Sequence, residues 1–454
     1  MRKISVVGLG YIGLPTALLF AVSGYEVVGV DINRSIIEKV NRKVMPFNEK
    51  GLQELLIKAI DSYRFSASTT PENADVFIIA VPTPFDKKNR MADLSYVIEA
   101  TESIASVLEK GNLVIIESTV PPGACEKCVI PILEENCNTE KGGLKAKEDF
   151  YVAHCPERAM PGNTLHEMVS NDRIIGGVDE KSSELARELY ESFVTGNLYV
   201  TSIRTAEMIK LMENTYRDIN IALANEFAQI AEEAGINVWE AIELANKHPR
   251  VNILKPGPGV GGHCIAVDPW FLTEDSTKSR IISLAREIND GMPVYVLHIL
   301  KNMLNKLKKE NLTITIFGVA YKGNVSDTRE TPASKFIRLA EKEGYKVRIY
   351  DPHVKDGDFE YPILPMEDAV QGSDCIVVIA DHSEFKSLSP DEVGKLMRTR
   401  KIVDTRNCLE HEKWKDAGFE VKILGRENAI HNPGNASGDH KDVAANTRMR
   451  KTRA

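Results

Sequence analysis

The stretch "KISVVGLGYIGLPTALLFAVSGYEVVGVD", Lys3 to Asp31, contains the strongest fold signal in the chain. An apolar run leads into a glycine turn, a helical segment follows, and a second apolar run ends at an acid. In a dinucleotide-binding turn, glycines let the backbone approach a pyrophosphate at a helix N-terminus, and the acid accepts hydrogen bonds from a ribose. The pattern therefore predicts an NAD site, with the acid favouring NAD over NADP, formed by Gly8, Gly10, Tyr11, Ile12, Gly13 and Asp31.

Two further apolar segments, "ADVFIIAVPTP" and "NLVIIESTVPPG", extend this unit. Short strands that alternate with helices are typical of a parallel doubly wound sheet. Thr83 and Thr119 close its third and fourth strands at their carboxyl ends, where such sheets bind ligands. Both threonines are therefore predicted to contact the cofactor.

The second half of the chain repeats part of this pattern. A helix predicted from Ile203 to Ala234, about 45 Å long at 1.5 Å per residue, separates the two halves. Beyond it, "LTITIFGVAYKG" and "GYKVRIYD" echo the first unit, with Gly318 kept but the three-glycine fingerprint lost. The sequence thus predicts an α/β protein with two Rossmann-like doubly wound domains joined by a long central helix, the second binding a different ligand.

Composition excludes several other classes of protein. The 454 residues suggest two or three domains, and the net charge of -8 argues against nucleic-acid binding. No run approaches the roughly 20 apolar residues of a membrane helix, and the N-terminal strand leaves no room for a signal peptide. Seven cysteines, an odd number, favour free thiols in the cytoplasm. Cys125 and Cys128 lack partners at metal-ligand spacing, so no metal is predicted.

The segment "KPGPGVGGHCIAVDPWF", from Lys255 to Phe271, sets one cysteine among glycines. Backbone amides of such a loop that face Cys264 would favour its thiolate, and Asp268 is close enough to orient a water or a base. A cysteine beside a nicotinamide suggests covalent trapping of an aldehyde, because a thiohemiacetal gives up a hydride readily. The segment therefore predicts oxidation of an alcohol to an acid.

Polar residues on the central helix complete this candidate site. Lys210, Asn214 and Arg217 lie at i, i+4 and i+7 and share one face, which is either catalytic or a solvated surface. Glu157 precedes Arg158 in "HCPERAMPG", and the two are interpreted as an ordinary ion pair.

The chain resembles the UDP-glucose/GDP-mannose dehydrogenases over residues 1–431. The motifs are "GLGYIGLP", "VPTP", "STVPPG", "CPER", "AEMIKLMENTYRDINIALANE", "GPGVGGHCIAVDP", "FGVAYKGNVSDTRETPAS" and "VDTRN". His263 stands before the cysteine where relatives that act on UDP-glucose carry GFGGSC. The loop instead resembles the branch that oxidises UDP-N-acetyl-D-mannosamine.

The resemblance implies four-electron oxidation of a UDP-sugar at C6 with two NAD+. It implies an NAD-binding domain (1–200), a central helical and dimerisation domain (201–300) and a UDP-binding domain (301–431). The tail (432–454) departs from the family and, lacking apolar periodicity, is predicted to be disordered. The implied catalytic residues are Cys264, Lys210, Asp268, Glu157, Thr119 and Asn214. The implied substrate residues are Arg158, Ala159, Lys210, Asn214, Arg217, His248, Gly261, Tyr321, Lys322, Arg406 and, from a partner subunit, Arg250. Arg329 would hold the NAD pyrophosphate.

Three alternatives stay open at this point. The same chemistry on UDP-N-acetylglucosamine or UDP-glucose differs only in contacts to the sugar. A two-electron hydroxyacid dehydrogenase would have no use for Cys264 or a second nucleotide domain. A non-catalytic sensor of NAD or a nucleotide sugar would not need Lys210, Asn214, Cys264 and Asp268. The expected partners are a UDP-sugar and a second copy in a homodimer or larger homo-oligomer, with neither nucleic acid nor membrane.

Overall fold

The computed structural model describes residues 2–47, 49–86, 88–136, 143–160, 162–274, 276–307 and 311–426. The predicted tail and the end of the predicted third domain lie outside the described residues. The strands are β1 (Lys3–Val7), β2 (Glu26–Val30), β3 (Phe65–Ser68), β4 (Val76–Ile79), β5 (Phe85–Asp86), β6 (Met91–Ala92), β7 (Leu113–Ile116), β8 (Tyr151–His154), β9 (Arg173–Gly177), β10 (Leu198–Ser202), β11 (Thr313–Phe317), β12 (Lys346–Tyr350), β13 (Cys375–Val378), β14 (Lys401–Asp404) and β15 (Glu420–Ile423). The helices are α1 (Gly13–Val22), α2 (Arg34–Asn41), α3 (Leu52–Asp61), α4 (Ser95–Ala105), α5 (Ile130–Asn136), α6 (Thr164–Ser170), α7 (Glu180–Tyr190), α8 (Ile203–Glu233), α9 (Val238–Ala245), α10 (Asp268–Phe271), α11 (Arg280–Leu304), α12 (Pro332–Lys342), α13 (Met366–Val370), α14 (Pro390–Leu396) and α15 (His411–Asp416).

An eight-stranded sheet in the order β10-β9-β8-β7-β4-β1-β2-β3 organises the first domain. Six neighbouring strands of this sheet run parallel, namely β8, β7, β4, β1, β2 and β3. The strand order reverses between β1 and β4. Strands covered by helices on both faces need continuous apolar sequence, and every residue of β4 and β7 is buried. The predicted doubly wound sheet is confirmed.

Two details of this sheet differ from the sequence prediction. Because β3 and the β5–β6 hairpin intervene, the strands before Thr83 and Thr119 are the fourth and seventh in the chain, not the third and fourth. In addition, β9 runs antiparallel to β8, so the sheet is mixed. A Cβ at Gly176 in β9 would lie 2.6 Å from the Ala206 Cβ, so glycine is what lets α8 pack against this reversed strand.

The long central helix is confirmed as α8, whose 31 residues end before Gly235 at φ +71°. Its buried residues join successive cores: Ile203 packs with the first domain, Leu211 with the cysteine segment, and Ala228 with the second domain. Among the described helices, none combines the length and apolarity needed to cross a bilayer.

The second domain contains a five-stranded parallel sheet in the order β12-β11-β13-β14-β15. Its order reverses between β11 and β13, where sheets of this kind bind ligands. Gly318 after β11 has φ +84°, and Gly8 after β1 has φ +97°. The sequence repeat therefore corresponds to a repeated strand and turn.

Candidate active site

The turn between β1 and α1 has the shape that a dinucleotide requires. A Cβ at Gly8 would lie 2.7 Å from the Ala80 carbonyl oxygen, and one at Gly13 would lie 1.8 Å from the Gly8 carbonyl oxygen. A Cβ at Gly10 would meet nothing within 4 Å. Gly8 and Gly13 thus close the turn, whereas Gly10 leaves space for a ligand at the helix N-terminus.

Asp31 lies beside this turn after β2. One carboxylate oxygen accepts the Leu9 N–H at 2.9 Å, the other accepts the Asn33 N–H at 2.8 Å, and the side chain stays partly exposed. A carboxylate offers about four acceptor positions, so capacity for ribose hydroxyls is left. The turn and Asp31 fit the predicted NAD.

Arg329 reaches this turn from the second domain. Its guanidinium carbon lies 5.3 Å above the Tyr11 ring, which stacks on Phe47 at 4.3 Å. Asp327 holds the Arg329 guanidinium with three hydrogen bonds, 2.9 and 3.1 Å from Nε to its two oxygens and 2.6 Å from Nη2 to Oδ2, and raises its pKa. A fixed cation therefore stands next to the predicted pyrophosphate position.

Thr83 and Thr119 follow β4 and β7 at the carboxyl edge of the first sheet. Thr83 is buried, and its hydroxyl has no hydrogen-bond partner among the described residues. Thr119 is half-buried, two residues after Glu117. Their contact with a cofactor stays a prediction.

Cys264 is exposed on the loop that leads into α10. The Val267 and Asp268 N–H groups donate to the Cys264 carbonyl at 3.0 and 2.8 Å. The thiol is accessible, yet the surrounding protein desolvates the sulfur, and this burial together with the Asp268 charge raises its pKa despite Lys210 and Arg329. The prediction that the glycine loop favours the thiolate is wrong, because burial and the Asp268 charge favour the thiol.

The polar face of α8 meets this loop at Asp268. Asn214 is buried and its amide donates to the Asp268 carboxylate, while Arg217 donates to the Asn214 oxygen. Burial raises the pKa of Asp268 to about 6, opposed by the charge of Lys210 and by the Asn214 hydrogen bond. The predicted polar face of Lys210, Asn214 and Arg217 therefore stabilises one buried carboxylate, that of Asp268, and is not a solvated surface.

The second domain supports the other side of the cysteine loop. A Cβ at Gly261 would lie 2.9 Å from the Tyr321 Cβ, and one at Gly257 would lie 2.6 Å from an Arg406 guanidinium nitrogen. Arg406 also pairs with Asp381 at 3.0 Å. Two of the predicted UDP-binding residues thus adjoin the loop, whereas Lys322 is exposed.

Glu157 differs from its sequence interpretation. Its carboxylate accepts the Arg158 and Ala159 backbone N–H groups at 2.6 and 2.8 Å and pairs with Arg173. The Arg158 guanidinium instead pairs with Glu213 at 2.7 Å. The interpretation as a Glu157–Arg158 ion pair is wrong, because the charge partner comes from the neighbouring strand β9.

His248 and Arg250 lie apart from this cluster, exposed in the turn after α9. Within the described part of the chain, no hydrogen bond or ion pair joins them to the cysteine loop, and the Arg250 N–H donates to His248 Nδ1 at 3.3 Å. The predicted contribution of Arg250 to a partner's site stays a prediction.

Sequence reasoning missed a second buried layer beneath the site. Asn225 on α8 accepts the Gly257 N–H at 2.8 Å and donates to Asn289 on α11 at 2.9 Å, which fixes the start of the cysteine loop. Asn225 follows Asn214 by 11 residues, three helical turns, so the polar spacing already visible in the sequence signals it. His154 is also buried near Lys210, and desolvation lowers its pKa to about 3.

A dinucleotide turn in one sheet, a second ligand-binding sheet and a cysteine loop between them define a dehydrogenase with two nucleotide sites. The chain belongs to the UDP-glucose/GDP-mannose dehydrogenase family, whose members are NAD-dependent nucleotide-sugar dehydrogenases. The family's NAD binding domain matches residues 2–194, its central domain residues 204–291 and its UDP binding domain residues 315–411.

Similar proteins support this assignment. The UDP-N-acetyl-D-mannosamine dehydrogenase of Methanocaldococcus jannaschii is 51% identical over 429 residues, covering 93% of this chain and 96% of that protein. The structure of UDP-D-ManNAc dehydrogenase from Pyrococcus horikoshii is similar with a TM-score of 0.87 at 45% identity, covering 93% and 99% of the two chains. The native UDP-N-acetyl-mannosamine dehydrogenase structure from Staphylococcus aureus gives 0.82 at 44%, covering 93% and 98%.

Proposed function

We propose that this enzyme oxidises UDP-N-acetyl-D-mannosamine at C6 to UDP-N-acetyl-D-mannosaminuronate, with two NAD+ consumed per sugar. The observation that carries the proposal is the setting of the cysteine loop: its glycines pack on Tyr321 and Arg406, and the Gly262 N–H donates to the carbonyl of Arg329, whose guanidinium lies over Tyr11 of the nucleotide turn. The choice of sugar rests on the similar dehydrogenases and on the "GGHC" loop. The same chemistry on UDP-N-acetylglucosamine or UDP-glucose is the alternative.

In this proposal residues 1–200 bind NAD, residues 201–300 carry the catalytic Lys and Cys and the dimer contact, and residues 301–431 bind UDP. Lys322 and Arg406 neutralise the UDP phosphates while Tyr321 packs against the nucleotide. Arg158, Ala159, Arg217 and Gly261 surround the sugar. Arginine suits position 406 because its planar guanidinium binds a phosphate through two hydrogen bonds.

Bound NAD+ accepts a hydride in each of the two oxidations. Lys210, supported by Asp268 and Asn214, takes the C6 hydroxyl proton and stabilises the developing oxyanion. Cys264 adds to the aldehyde, so that its sulfur bonds to C6 as a thiohemiacetal, and the second oxidation leaves a thioester. Water activated by Glu157 and Thr119 then attacks C6, the C–S bond breaks, and the uronate leaves with Cys264 restored as a thiol.

We also propose that two copies assemble through α8. Large apolar side chains recur on its exposed face at intervals of three, four and seven residues, which is the spacing of a helix that packs on a partner. They are Met208, Met212, Tyr216, Leu223, Phe227 and Ile230. Tyr216 and Met212 also border a groove containing Arg158 and Arg217. A partner seated there would close the sugar site, which gives Arg250 of the second copy a place to act.

The decisive experiment measures NADH formed per sugar consumed, with excess NAD+ and each of the three UDP-sugars limiting. Two NADH from UDP-N-acetylmannosamine alone would support both mechanism and substrate. Two NADH from another sugar would overturn the substrate, and one NADH with free aldehyde would remove the thioester step. No NADH from any of the three sugars would reject the proposed oxidation, and the remaining functions would be a nucleotide sensor or a hydroxyacid dehydrogenase.

Cys264→Ser tests the covalent step directly. A serine cannot form the thioester, so steady-state NADH production should fall at least about a thousandfold. The described cysteines are all free, as we expect of a cytoplasmic enzyme. Cys128→Ser is a matched control because Cys128 is a half-buried residue of a separate element, the helical turn Cys125–Val129. A Cys264→Ser variant as fast as the control would disprove covalent catalysis.

A further inference from the structure

We propose that Arg173 is a positioning residue that holds Glu157 for the hydrolysis of the thioester. The inference rests on the proposed function, because it concerns the last step of that reaction. Arg173 is the first residue of strand β9 and is 3% exposed. It lies outside the family motifs quoted above and outside the polar face of α8.

The contacts of Arg173 join two loops at the edge of the first sheet. One terminal nitrogen lies 3.1 Å from the Glu117 carboxylate after β7, and the other pairs with Glu157 after β8. The Tyr190 ring lies 4.4 Å from the guanidinium carbon, and its hydroxyl donates to Glu117 at 2.6 Å. Thr16 donates to the other Glu117 oxygen at 2.9 Å. A single buried side chain thus links the loops that carry Thr119 and Glu157.

The chemistry of this cluster requires an arginine. Glu117 and Glu157 are both buried, and unpaired buried carboxylates are strongly unfavourable. A guanidinium presents two nitrogens in a fixed plane and bridges both carboxylates at once, whereas a lysine offers one nitrogen on a flexible stem. Lysine at this position would keep the charge but release one of the two loops.

The consequence concerns the free face of Glu157. One carboxylate oxygen is occupied by the Arg158 and Ala159 N–H groups and the other by Arg173, which leaves about one of four acceptor positions. The direction of that free acceptor position is set by Arg173, because Arg173 fixes the orientation of the Glu157 carboxylate. A water that donates to Glu157 there attacks C6 of the thioester, the C–S bond breaks, the sulfur of Cys264 recovers a proton, and the carboxylate product leaves.

The test uses Arg173→Lys in the full-length enzyme with NAD+ and UDP-N-acetylmannosamine. We expect a first burst of two NADH per site near the wild-type rate, followed by a steady state about 100-fold slower, because a misplacement of about 1 Å costs that much. Acid-quenched protein should carry the thioester on Cys264, seen as a mass increase. Arg187→Lys, an exposed arginine on α7 paired with Glu191, is the matched control and should match wild type.

Glu117→Gln separates positioning from general damage, because it cuts the other half of the bridge. It should lower Tm and slow the steady state less than Arg173→Lys does, because Glu157 keeps its own pairing with Arg173. Equal ratios of burst to steady-state rate in Arg173→Lys and wild type, or as much accumulated thioester in Glu117→Gln as in Arg173→Lys, would overturn the inference. If Arg173→Lys does not fold, Glu157→Gln replaces it, and absence of accumulated thioester there also overturns it. Failure of the wild type to form two NADH would instead reject the proposed function.

Discussion

The two sheets place an aspartate at the same point and use it differently. Asp31 after β2 accepts two backbone N–H groups and stays partly exposed. Asp351 after β12 is buried and accepts four, from Val319, Ala320, His353 and Val354. His382 contributes a fifth contact at 3.0 Å. Asp351 has therefore no acceptor position left for a ribose.

The turns differ in the same direction. The second turn reads Gly318-Val319-Ala320-Tyr321-Lys322-Gly323, so Ala320 stands where the first turn has Gly10. Ala320 is buried, whereas the space beside Gly10 is open. A repeated fold therefore need not bind a repeated ligand. The number of protein hydrogen-bond donors on the aspartate decides whether the carboxylate can bind a nucleotide or only holds a loop in place.

Removing the buried carboxylate of Asp351 should have the largest effect, a loss of stability. Burial raises the pKa of Asp351, but the hydrogen bond and charge of His382 and the backbone N–H groups together lower it, so the carboxylate stabilises the fold above its unfolded pKa and loses this as pH falls through the folded value. Asp351→Asn should cost about 3–5 kcal/mol in the free energy of unfolding at pH 7. Denaturation curves measure this, with exposed Asp358→Asn as control. A raised KM for the UDP-sugar without loss of stability would contradict the comparison.

The equivalent change in the first sheet should act on binding instead. Asp31→Asn removes a charged acceptor, and hydrogen bonds to charged groups contribute about 1.5–3 kcal/mol, so KM for NAD+ should rise about 10- to 100-fold. Discrimination against NADP+ should fall with it. Steady-state kinetics with both cofactors checks this beside Glu38→Gln, an exposed acid on α2. Unchanged cofactor kinetics with a large fall in Tm would assign Asp31 the role of Asp351.

Gly10→Ala converts the first turn toward the second and should have a smaller effect. The new methyl group meets no protein atom within 4 Å, so Tm should not change. It occupies the ligand's space, so KM for NAD+ should rise about tenfold, equivalent to about 1.4 kcal/mol. A loss of stability with normal NAD+ kinetics would contradict the open geometry of this turn.

The carboxylate between the two sheets should produce the mildest effect, a change with pH. Asp268 has a pKa of about 6, so it loses its charge as pH falls through 6 and Lys210 loses its support. The rate should be half-maximal near pH 6 and decline about tenfold per unit below it. Asp268→Asn should be slow and lack this inflection. A wild-type profile flat from pH 5 to 7 would contradict the role of Asp268.

Local patterns predicted the two sheets and α8, because apolar periodicity and glycine turns report local geometry. They did not predict the reversed strand β9, since a strand's apolar pattern is the same in either direction. The approach of α8 to Gly176 is a long-range contact invisible to periodicity.

The site shows the same limit. The contacts of Asn214 and Arg217 follow from helical spacing, whereas the partner of Glu157 does not, because Arg158 is its neighbour in sequence and Arg173 its neighbour in space. The raised pKa of Cys264 does not follow from the loop sequence, because desolvation depends on the folded surroundings.

The division of α8 among three cores has a consequence for how the chain unfolds. Multidomain proteins commonly melt in steps, each domain losing its structure independently. Here Ile203 and Ala228 belong to different cores but to one uninterrupted helix. Melting the first domain would expose Ile203 at one end of a helix whose other end stays packed in the second domain. We therefore expect the two halves to unfold in one cooperative transition, and a chain severed before residue 203 to leave the first domain without Ile203 and without the Ala206 contact to Gly176.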